Sequence, residues 1–474
     1  MLPGARPTPV PRSFLGLSTE YWSLPSDARH AAAFARVVGL LRVPGDGPLI
    51  LRVGGNSADH TIWSSRPRTM ARWVVELTPA WLQAARTVVH HAAVRLILDL
   101  NLITGSPSAA SLWARAALAD LPSRSIAGFE IGNEPDLYSR SFWLTRLSGR
   151  GLDASILPRD LTRGGYADDF HSYARLLKRF APHVPLLGPA IANPVLHAAW
   201  VSDLLALARP ELGVVTAHRY LYTACAAPDS RSYPTIERLL SERASTGVAR
   251  SLAPIAADAH RAGVPFRLTE FNSVTCGGVR GISNTFATAL WAPDTLFELL
   301  RAGVDGVNVH VHAASINAAF TFDRAALVVR PLLYGLIMFR RALGIDPSLL
   351  NVQVGAAGRP HVKAWGVAVA GGGLHVLVLD KGSRAARVSL HIPPDGSATV
   401  QRLLAPSVSA HSGVTLAGQS LNARGRWIGR RVVSPLRPTA RGYEVTVPGY
   451  SAALVSVGGT LASAPHERPR PQVT

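Results

Sequence analysis

Eight short apolar runs, each followed by a stretch of helical periodicity, constrain this chain more than any other feature. The runs are FLGLSTEY (14–21), LILRVGG (49–55), VRLILDLN (94–101) and IAGFEIGNE (126–134), then VPLLGPAIA (184–192), LGVVTAHRY (212–220), VPFRLTEFN (264–272) and VDGVNVHVH (304–312). They are apolar throughout rather than alternating, as strands covered on both faces are. The helical stretches begin with DARHAAAFARVVGLL, TPAWLQAARTVVHHAA and SAASLWARAALADL. They continue with YADDFHSYARLLKRF, HAAWVSDLLALA and PTIERLLSERA, and end with SNTFATALWAPDTLFELLRAG and RPLLYGLIMFRRALG. Strands alternating with helices imply a parallel sheet, and eight such units predict a (β/α)8 barrel over residues 14–344.

The pattern changes after this. HVKAWGVAVA, LHVLVLD, ARVSLHI, TVQRLLA and YEVTVPGYSAALVSVG are strand-like and punctuated by Gly and Pro. They predict an antiparallel β-sandwich domain over 345–460. The N-terminal segment 1–13 is placed to add a strand to it, and 461–474 (LASAPHERPRPQVT) reads as a disordered tail.

The chain's 474 residues have room for both units, and 47% hydrophobic content describes a folded protein. No run of about 18 apolar residues predicts a membrane span. The formal net charge is +19, almost all from arginine, since the only lysines are Lys178, Lys363 and Lys381. Helix-turn-helix, zinc-finger and basic-aromatic patterns are all missing from the sequence, so nucleic acid is not an expected partner. A basic surface would instead gather anionic substrates. The start MLPGARPTPVPRSFLG lacks the apolar core of a signal peptide. Taken literally it predicts a cytoplasmic protein.

In a parallel barrel the C-terminal ends of the strands face the active site. Those ends offer Glu20 and Tyr21, then Asn56 with Asp59 beyond, then Asp99 and Asn101. Asn133 and Glu134 end the fourth run, His218 and Tyr220 the sixth, Glu270 and Asn272 the seventh, His310 and His312 the eighth. Glu134 and Glu270 therefore finish strands on opposite sides of one mouth. Two carboxylates across a cleft suit glycoside hydrolysis, in which one protonates the leaving oxygen and the other attacks the anomeric carbon or activates water. Pro135 stiffens the turn after Glu134. The histidines 310 and 312 read as core or supporting polar groups rather than metal ligands. Trp22, Trp63, Trp143 and Trp291 are candidates to stack on sugar faces, with ordinary packing as the alternative.

Cys225 follows the sixth strand and Cys276 the seventh. Neighbouring strands make these neighbouring loops, so a disulfide is expected across them. A disulfide implies an oxidising compartment, which argues for a secreted or extracytoplasmic protein against the literal reading of the N-terminus.

The words LRVGGNSAD, EIGNEPDLY, HRY and RLTEFNSVTCGG, in this order, resemble glycoside hydrolase family 79. That family of clan A retaining glycosidases includes β-glucuronidases and heparanases. The resemblance implies Glu134 as acid/base and Glu270 as nucleophile, with no metal or other cofactor. It places Asn133 beside the acid/base and Tyr220 near the nucleophile. Asn56 and Asp59 match the polar loop that meets the sugar. Gly277 and Gly278 match a glycine loop whose amides meet a uronate carboxylate. Two departures stand out. Thr275 and Cys276 replace a Tyr-Gly pair of that loop, and Phe320 or Ala319 falls where a further tyrosine holds the carboxylate. Arg280 is then the candidate substitute, and Glu20 and His218 are further candidates to bind sugar hydroxyls or fix the site. The implied activity is retaining, exo-acting hydrolysis of a β-linked uronic acid at the end of an oligosaccharide or glycoconjugate. The alternatives are a neutral sugar such as an arabinoside, xyloside or glucoside, and a non-catalytic carbohydrate-binding homologue.

Overall fold

The computed structural model describes residues 7–43, 45–138, 163–324, 326–355, 361–392 and 397–458. Eight parallel strands close into a barrel. They are β1 (Leu15–Glu20), β2 (Ile50–Gly54), β3 (Arg95–Leu100), β4 (Ile126–Ile131), β5 (Leu186–Ile191), β6 (Leu212–Arg219), β7 (Phe266–Phe271) and β8 (Gly306–His310). Each pairs with its successor and β8 pairs with β1, so no strand is left with an open edge. The helices that follow them in turn are α1 (Ala31–Leu41), α2 (Pro79–Ala92), α3 (Pro107–Asp120), α4 (Arg163–Leu177), α5 (Ala198–Ala208), α6 (Thr246–Arg261), α7 (Phe286–Arg301) and α8 (Pro331–Leu343).

Local chemistry fixes where these helices start. The Thr78 hydroxyl accepts from the amide of Trp81, and the Ser106 hydroxyl accepts from that of Ala109. Pro79 and Pro107 follow in the first turn, where a missing N–H costs nothing. The sixth unit departs from expectation. The stretch 234–244 forms only a short helix, Ile236–Leu240, and one 3-10 turn, Glu242–Ala244. The helix that covers the barrel there is α6. Its buried positions Val248, Leu252, Ile255, Ala256 and Ala259 have helical spacing. Gly247 and Pro254 mask that pattern in the sequence, but Pro254 sits on the exposed side of the helix.

The second unit contains β9 (Ser348–Leu350), β10 (Val362–Val369), β11 (Gly373–Asp380), β12 (Ala386–Leu390), β13 (Ala398–Leu404), β14 (Gly442–Val447) and β15 (Ser451–Val457). The large antiparallel sheet runs β9-β10-β11-β15-β13, and Thr8–Pro9 adds a short strand beside β9. A smaller sheet of β12, β14 and Pro438–Thr439 covers one face. The period of two sorts the side chains cleanly. Val376, Val378, Ala453 and Val455 pack with Tyr443, Val445 and Val447 between the two sheets. Leu377, Leu379, Ala452 and Leu454 point the other way, into the core shared with the barrel. Trp365 of β10 lies flat on Phe297 of α7, ring centroids 5.4 Å apart.

Two of the three lysines bind the sheet to the barrel. Lys363 pairs with Asp294 at 2.7 Å and Glu298 at 2.6 Å, and Lys381 with Asp294 at 2.7 Å and Glu242 at 2.8 Å. Among the described residues no helix is long and apolar enough to cross a membrane. The predicted tail 461–474 and Trp143 lie outside the described residues.

Candidate active site

Glu134 stands in the turn after β4, in the left-handed region at φ 50°, ψ 51°. A non-glycine residue there is uncommon and occurs where surroundings over-determine the backbone. Those surroundings are visible. The Glu134 amide donates to the carbonyl of Ala190, Pro135 opens a 3-10 turn, and Tyr138 donates its own amide back to Pro135. Asp136 then clamps the next loop. It accepts from the amides of Ala192 and Asn193 at 2.8 and 3.0 Å, and binds His197 at 2.8 Å. The acids of this turn thus divide their work. Asp136 fastens the wall and Glu134 faces the mouth.

Glu270 reaches the interior through a β-bulge. The pairing of β7 slips register between Leu268 and Glu270 against β6, and between Leu268 and Phe271 against β8. Thr269 already points inward, since its hydroxyl donates to Glu130 at 2.7 Å. Strict alternation would turn Glu270 away, and the bulge returns it to the cavity. Tyr220 donates to Glu270 Oε1 at 2.7 Å, and His310 Nδ1 lies 3.6 Å from Oε2. His218 Nδ1 binds Glu134 Oε1 at 3.1 Å. A carboxylate oxygen of Glu134, a ring nitrogen of His218 and a carboxylate oxygen of Glu270 all lie within 4.8 Å of one another.

One fully buried side chain organises this group, and sequence reasoning passed over it. Arg52 of β2 donates Nε to Glu130 at 2.7 Å, Nη1 to Glu270 at 2.9 Å, and Nη2 to Asp99 at 2.8 Å and Asn133 at 3.0 Å. The signal was an arginine inside the apolar run LILRVGG, where a charge needs buried partners. Burial works against the Arg52 charge, but Glu130, Asp99 and Glu270 outweigh it. Burial also raises the Asp99 carboxyl well above its ordinary range, against the pull of Arg52. Asp99, Glu130 and Glu270 thus share one buried cation. For Glu270 burial acts upward, and His310, His218, Arg52 and the Tyr220 hydroxyl together hold it well below the usual range. Burial pushes His310 down to about 4, which leaves it neutral at pH 7. Burial and the Glu270 charge push the Tyr220 phenol well up, so it stays a donor.

The remaining candidates spread around this centre. Glu20 is buried against Ser57, whose amide donates to Oε2 at 2.9 Å, and burial brings its carboxyl up to about 7. Gly55, at φ +66°, lets the chain pass Glu20, because a Cβ there would sit 2.4 Å from its carboxyl oxygen. Asn56 is half-buried on the same turn. Asp59 departs from expectation. It is fully enclosed and receives the Tyr138 hydroxyl, so it supports the wall from behind instead of meeting a sugar. Asn272 likewise binds the carbonyls of His310 and Asn317 and serves the loops. Trp22, 46% exposed, stands edge-on to His312 and is available at the rim, whereas Trp291 is buried on Phe271 and Trp63 packs on Trp113.

Cys225 and Cys276 form a disulfide with Cα atoms 6.0 Å apart. Short parallel pairing of Tyr222–Thr223 with Val274–Thr275 accompanies it. In the loop beyond, Gly278 donates its amide to Thr275, so that amide closes the turn and is not free for an anion. The Gly277 amide has no partner among the described residues, while its carbonyl accepts from Ile316. Arg280 is exposed on the same loop. Ala319 and Phe320 are buried, Phe320 against Phe34 and Phe322.

Residues 370–454 match the glycosyl hydrolase family 79 C-terminal beta domain. The whole chain is similar to a beta-glucuronidase of Aspergillus niger, 26% identical with 95% of this chain and 91% of that protein covered. Among solved structures it resembles a 4-O-alpha-L-rhamnosyl-beta-D-glucuronidase of Fusarium oxysporum, at TM-score 0.75 and 17% identity over 96% of this chain and 98% of the other. It also resembles an alpha-L-arabinofuranosidase of Thermotoga maritima, at TM-score 0.65 and 17% identity over 95% and 97%. These structures share the barrel with its β domain. The matched C-terminal domain and the full-length similarity mark this chain as a glycoside hydrolase similar to those of family 79, and the solved structures share its fold.

Proposed function

We propose that the chain is a retaining, exo-acting β-glucuronidase, with Glu270 as nucleophile and Glu134 as acid/base. The observation that carries this reading is the approach of the two carboxylates to within 4.8 Å from the ends of β4 and β7. Retaining glycosidases hold this pair about 5 to 5.5 Å apart, which leaves no room for a water between them. The electrostatics suit the roles. Glu270 is held ionised by Arg52 and Tyr220, as a nucleophile must be. Among the described residues the side-chain partner of Glu134 is His218, and Glu134 is open to the mouth, where a departing oxygen would lie.

In the first step Glu270 attacks the anomeric carbon while Glu134 gives its proton to the leaving oxygen. In the second, Glu134 takes a proton from water, which attacks the glycosyl ester and frees Glu270. Asn133, held by Arg52, is placed to bond a hydroxyl beside the reacting carbon. The Aspergillus relative's name supports a glucuronide as the substrate, and the Gly277 amide is the free donor for its carboxylate. The disulfide supports secretion.

The test uses 4-nitrophenyl β-D-glucuronide beside the matching glucoside, xyloside and α-L-arabinofuranoside, with the first-formed anomer followed by proton NMR. The β-glucuronide should be turned over fastest and release the β-anomer first. Preference for a neutral glycoside, or release of the α-anomer, would overturn the reading.

A further inference from the structure

The excursion between β13 and β14 carries charge of one sign. Residues 405–443 contain Arg424, Arg426, Arg430, Arg431, Arg437 and Arg441, and no Asp or Glu. All six arginines are exposed, and none forms an ion pair among the described residues. Three exposed arginines elsewhere have acids beside them, in Arg86–Asp120, Arg261–Asp258 and Arg301–Glu298, whereas this excursion offers none to its six. Barrel arginines extend the field. Arg36 donates to the carbonyl of Arg424 at 2.6 Å, and Arg341 of α8 lies near Arg431.

The placement of this excursion connects it to the mouth. The carbonyls of Val408 and Ala410 accept from the amides of Ala287 and Phe286, at the N-terminus of α7. The carbonyl of Ala423 accepts from Leu327, in the hairpin after β8. Helix N-termini and post-strand loops lie at the C-terminal end of the strands, the end that holds Glu134 and Glu270. The excursion is thus built onto the rim of the candidate site.

We propose that the acid-free arginine surface at 424–441 is a docking track for an anionic polysaccharide whose terminus enters the barrel mouth. The inference rests on the glycosidase reading for the identity of its occupant. Guanidinium forks grip carboxylate or sulfate in paired hydrogen bonds, and unpaired exposed arginines are free to do so. Single-stranded nucleic acid fits the same charge less well. Its binding surfaces interleave aromatics for base stacking. Residues 428–441 contain no aromatic, and Trp427 is covered by Arg341, 5.1 Å from its ring. The track serves binding and leaves the chemistry to the pocket, so its loss should appear in KM for a long anionic substrate alone.

The experiment compares the full chain with a variant carrying Arg424→Ser, Arg426→Ser, Arg430→Ser and Arg431→Ser. Heparin is the binding probe, with a single-stranded DNA oligonucleotide of similar charge beside it. Loss of four contacts should lower the slope of log affinity against log salt by roughly three, taking about 0.7 per contact. KM for a glucuronate-terminated anionic polysaccharide should rise about tenfold, by the loss of counterion release that this slope measures, while turnover of 4-nitrophenyl β-D-glucuronide stays unchanged. An unchanged heparin slope overturns the proposal, as does tighter binding to DNA than to heparin. A second variant, Arg430→Glu with Arg431→Glu, should weaken heparin binding further, and failure to do so also counts against it. Absence of activity on the small glucuronide in the wild-type chain would fault the glycosidase reading. The heparin titration would still judge the track.

Discussion

Arg52 Nη1 donates to Glu270 Oε2 at 2.9 Å, and the same guanidinium reaches Asn133, the residue before Glu134, at 3.0 Å. One side chain from β2 therefore sets the distance between the two candidate catalytic groups. It also balances Glu130 and Asp99 in the barrel interior. Removing it would strand buried carboxylates without a cation, a change that costs about 3 to 5 kcal/mol in comparable buried pairs. Arg52→Met should show this loss in denaturant unfolding. Arg52→Lys keeps a charge but cannot reproduce a planar fork. It should fold better than Arg52→Met and still lose about 10²–10³ in kcat, the scale of a lost preorganised donor. Wild-type kcat in Arg52→Lys would refute this role.

Glu270→Ala and Glu134→Ala should differ in kind. Without Glu270 no glycosyl ester can form, and activity should vanish on every substrate. Without Glu134 a substrate with a very acidic leaving group needs no protonation, so the ester still forms and then waits for a base. Substrates with poor leaving groups should lose about 10²–10⁴ in rate. Azide should restore turnover of Glu134→Ala and yield a β-glycosyl azide. A rescue confined to Glu270→Ala, or an α-azide from Glu134→Ala, would reverse the roles.

The parts of this molecule that were legible in the sequence are those set by periodicity and by strand ends. Eight apolar runs located the barrel, and carboxylates closing the fourth and seventh marked the candidate pair that the fold brings together. Arg52 was hidden because its meaning is tertiary: an arginine in a strand says nothing until Glu130, Asp99 and Glu270 are brought around it. The bulge that turns Glu270 inward is equally silent in a single sequence. Asp59 shows the opposite failure. Its place behind Gly-Gly suggested a sugar contact, yet Tyr138, from the turn after β4, encloses it. α6 was missed because Gly247 and Pro254 lower helix propensity, and packing of its apolar face overrode them.

Asp27 makes stability pH-dependent in an unusual direction. The residue is only 9% exposed, and burial lifts its carboxyl from 3.8 to about 7 despite the nearby Arg29. The folded protein thus keeps a proton that the unfolded chain releases above about 4. Between these values the unfolded state binds fewer protons, so stability falls as pH rises and levels off above about 7. The loss from this one group is on the order of 3 to 4 kcal/mol. Asp27→Asn should flatten the decline of Tm between about pH 4 and pH 7. A slope identical to wild type would refute the assignment. Glu20 adds the same sign, since its carboxyl is raised to about 7 by burial.

The disulfide should govern substrate grip more than chemistry. Cys225 and Cys276 enclose a sequence separation of 51, and in the chain-entropy model such a link is worth about 4 kcal/mol. The pairing of Tyr222–Thr223 with Val274–Thr275 would still hold the loop bases, so the measured loss should be smaller. Cys276 is followed directly by Gly277, the residue with the free amide, whereas Glu270 is anchored inside the barrel by Arg52 and Tyr220. Opening the bridge should therefore loosen the proposed carboxylate end of the pocket and spare the proposed nucleophile. The double variant Cys225→Ser, Cys276→Ser should have a lower Tm, a raised KM for the β-glucuronide and a kcat within about threefold of wild type. Reduction of the native bridge by dithiothreitol should shift KM in the same way, and re-oxidation should return it. A fall in kcat at constant KM would mean that the bridge supports Glu270 after all, and the division between grip and chemistry would have to be redrawn.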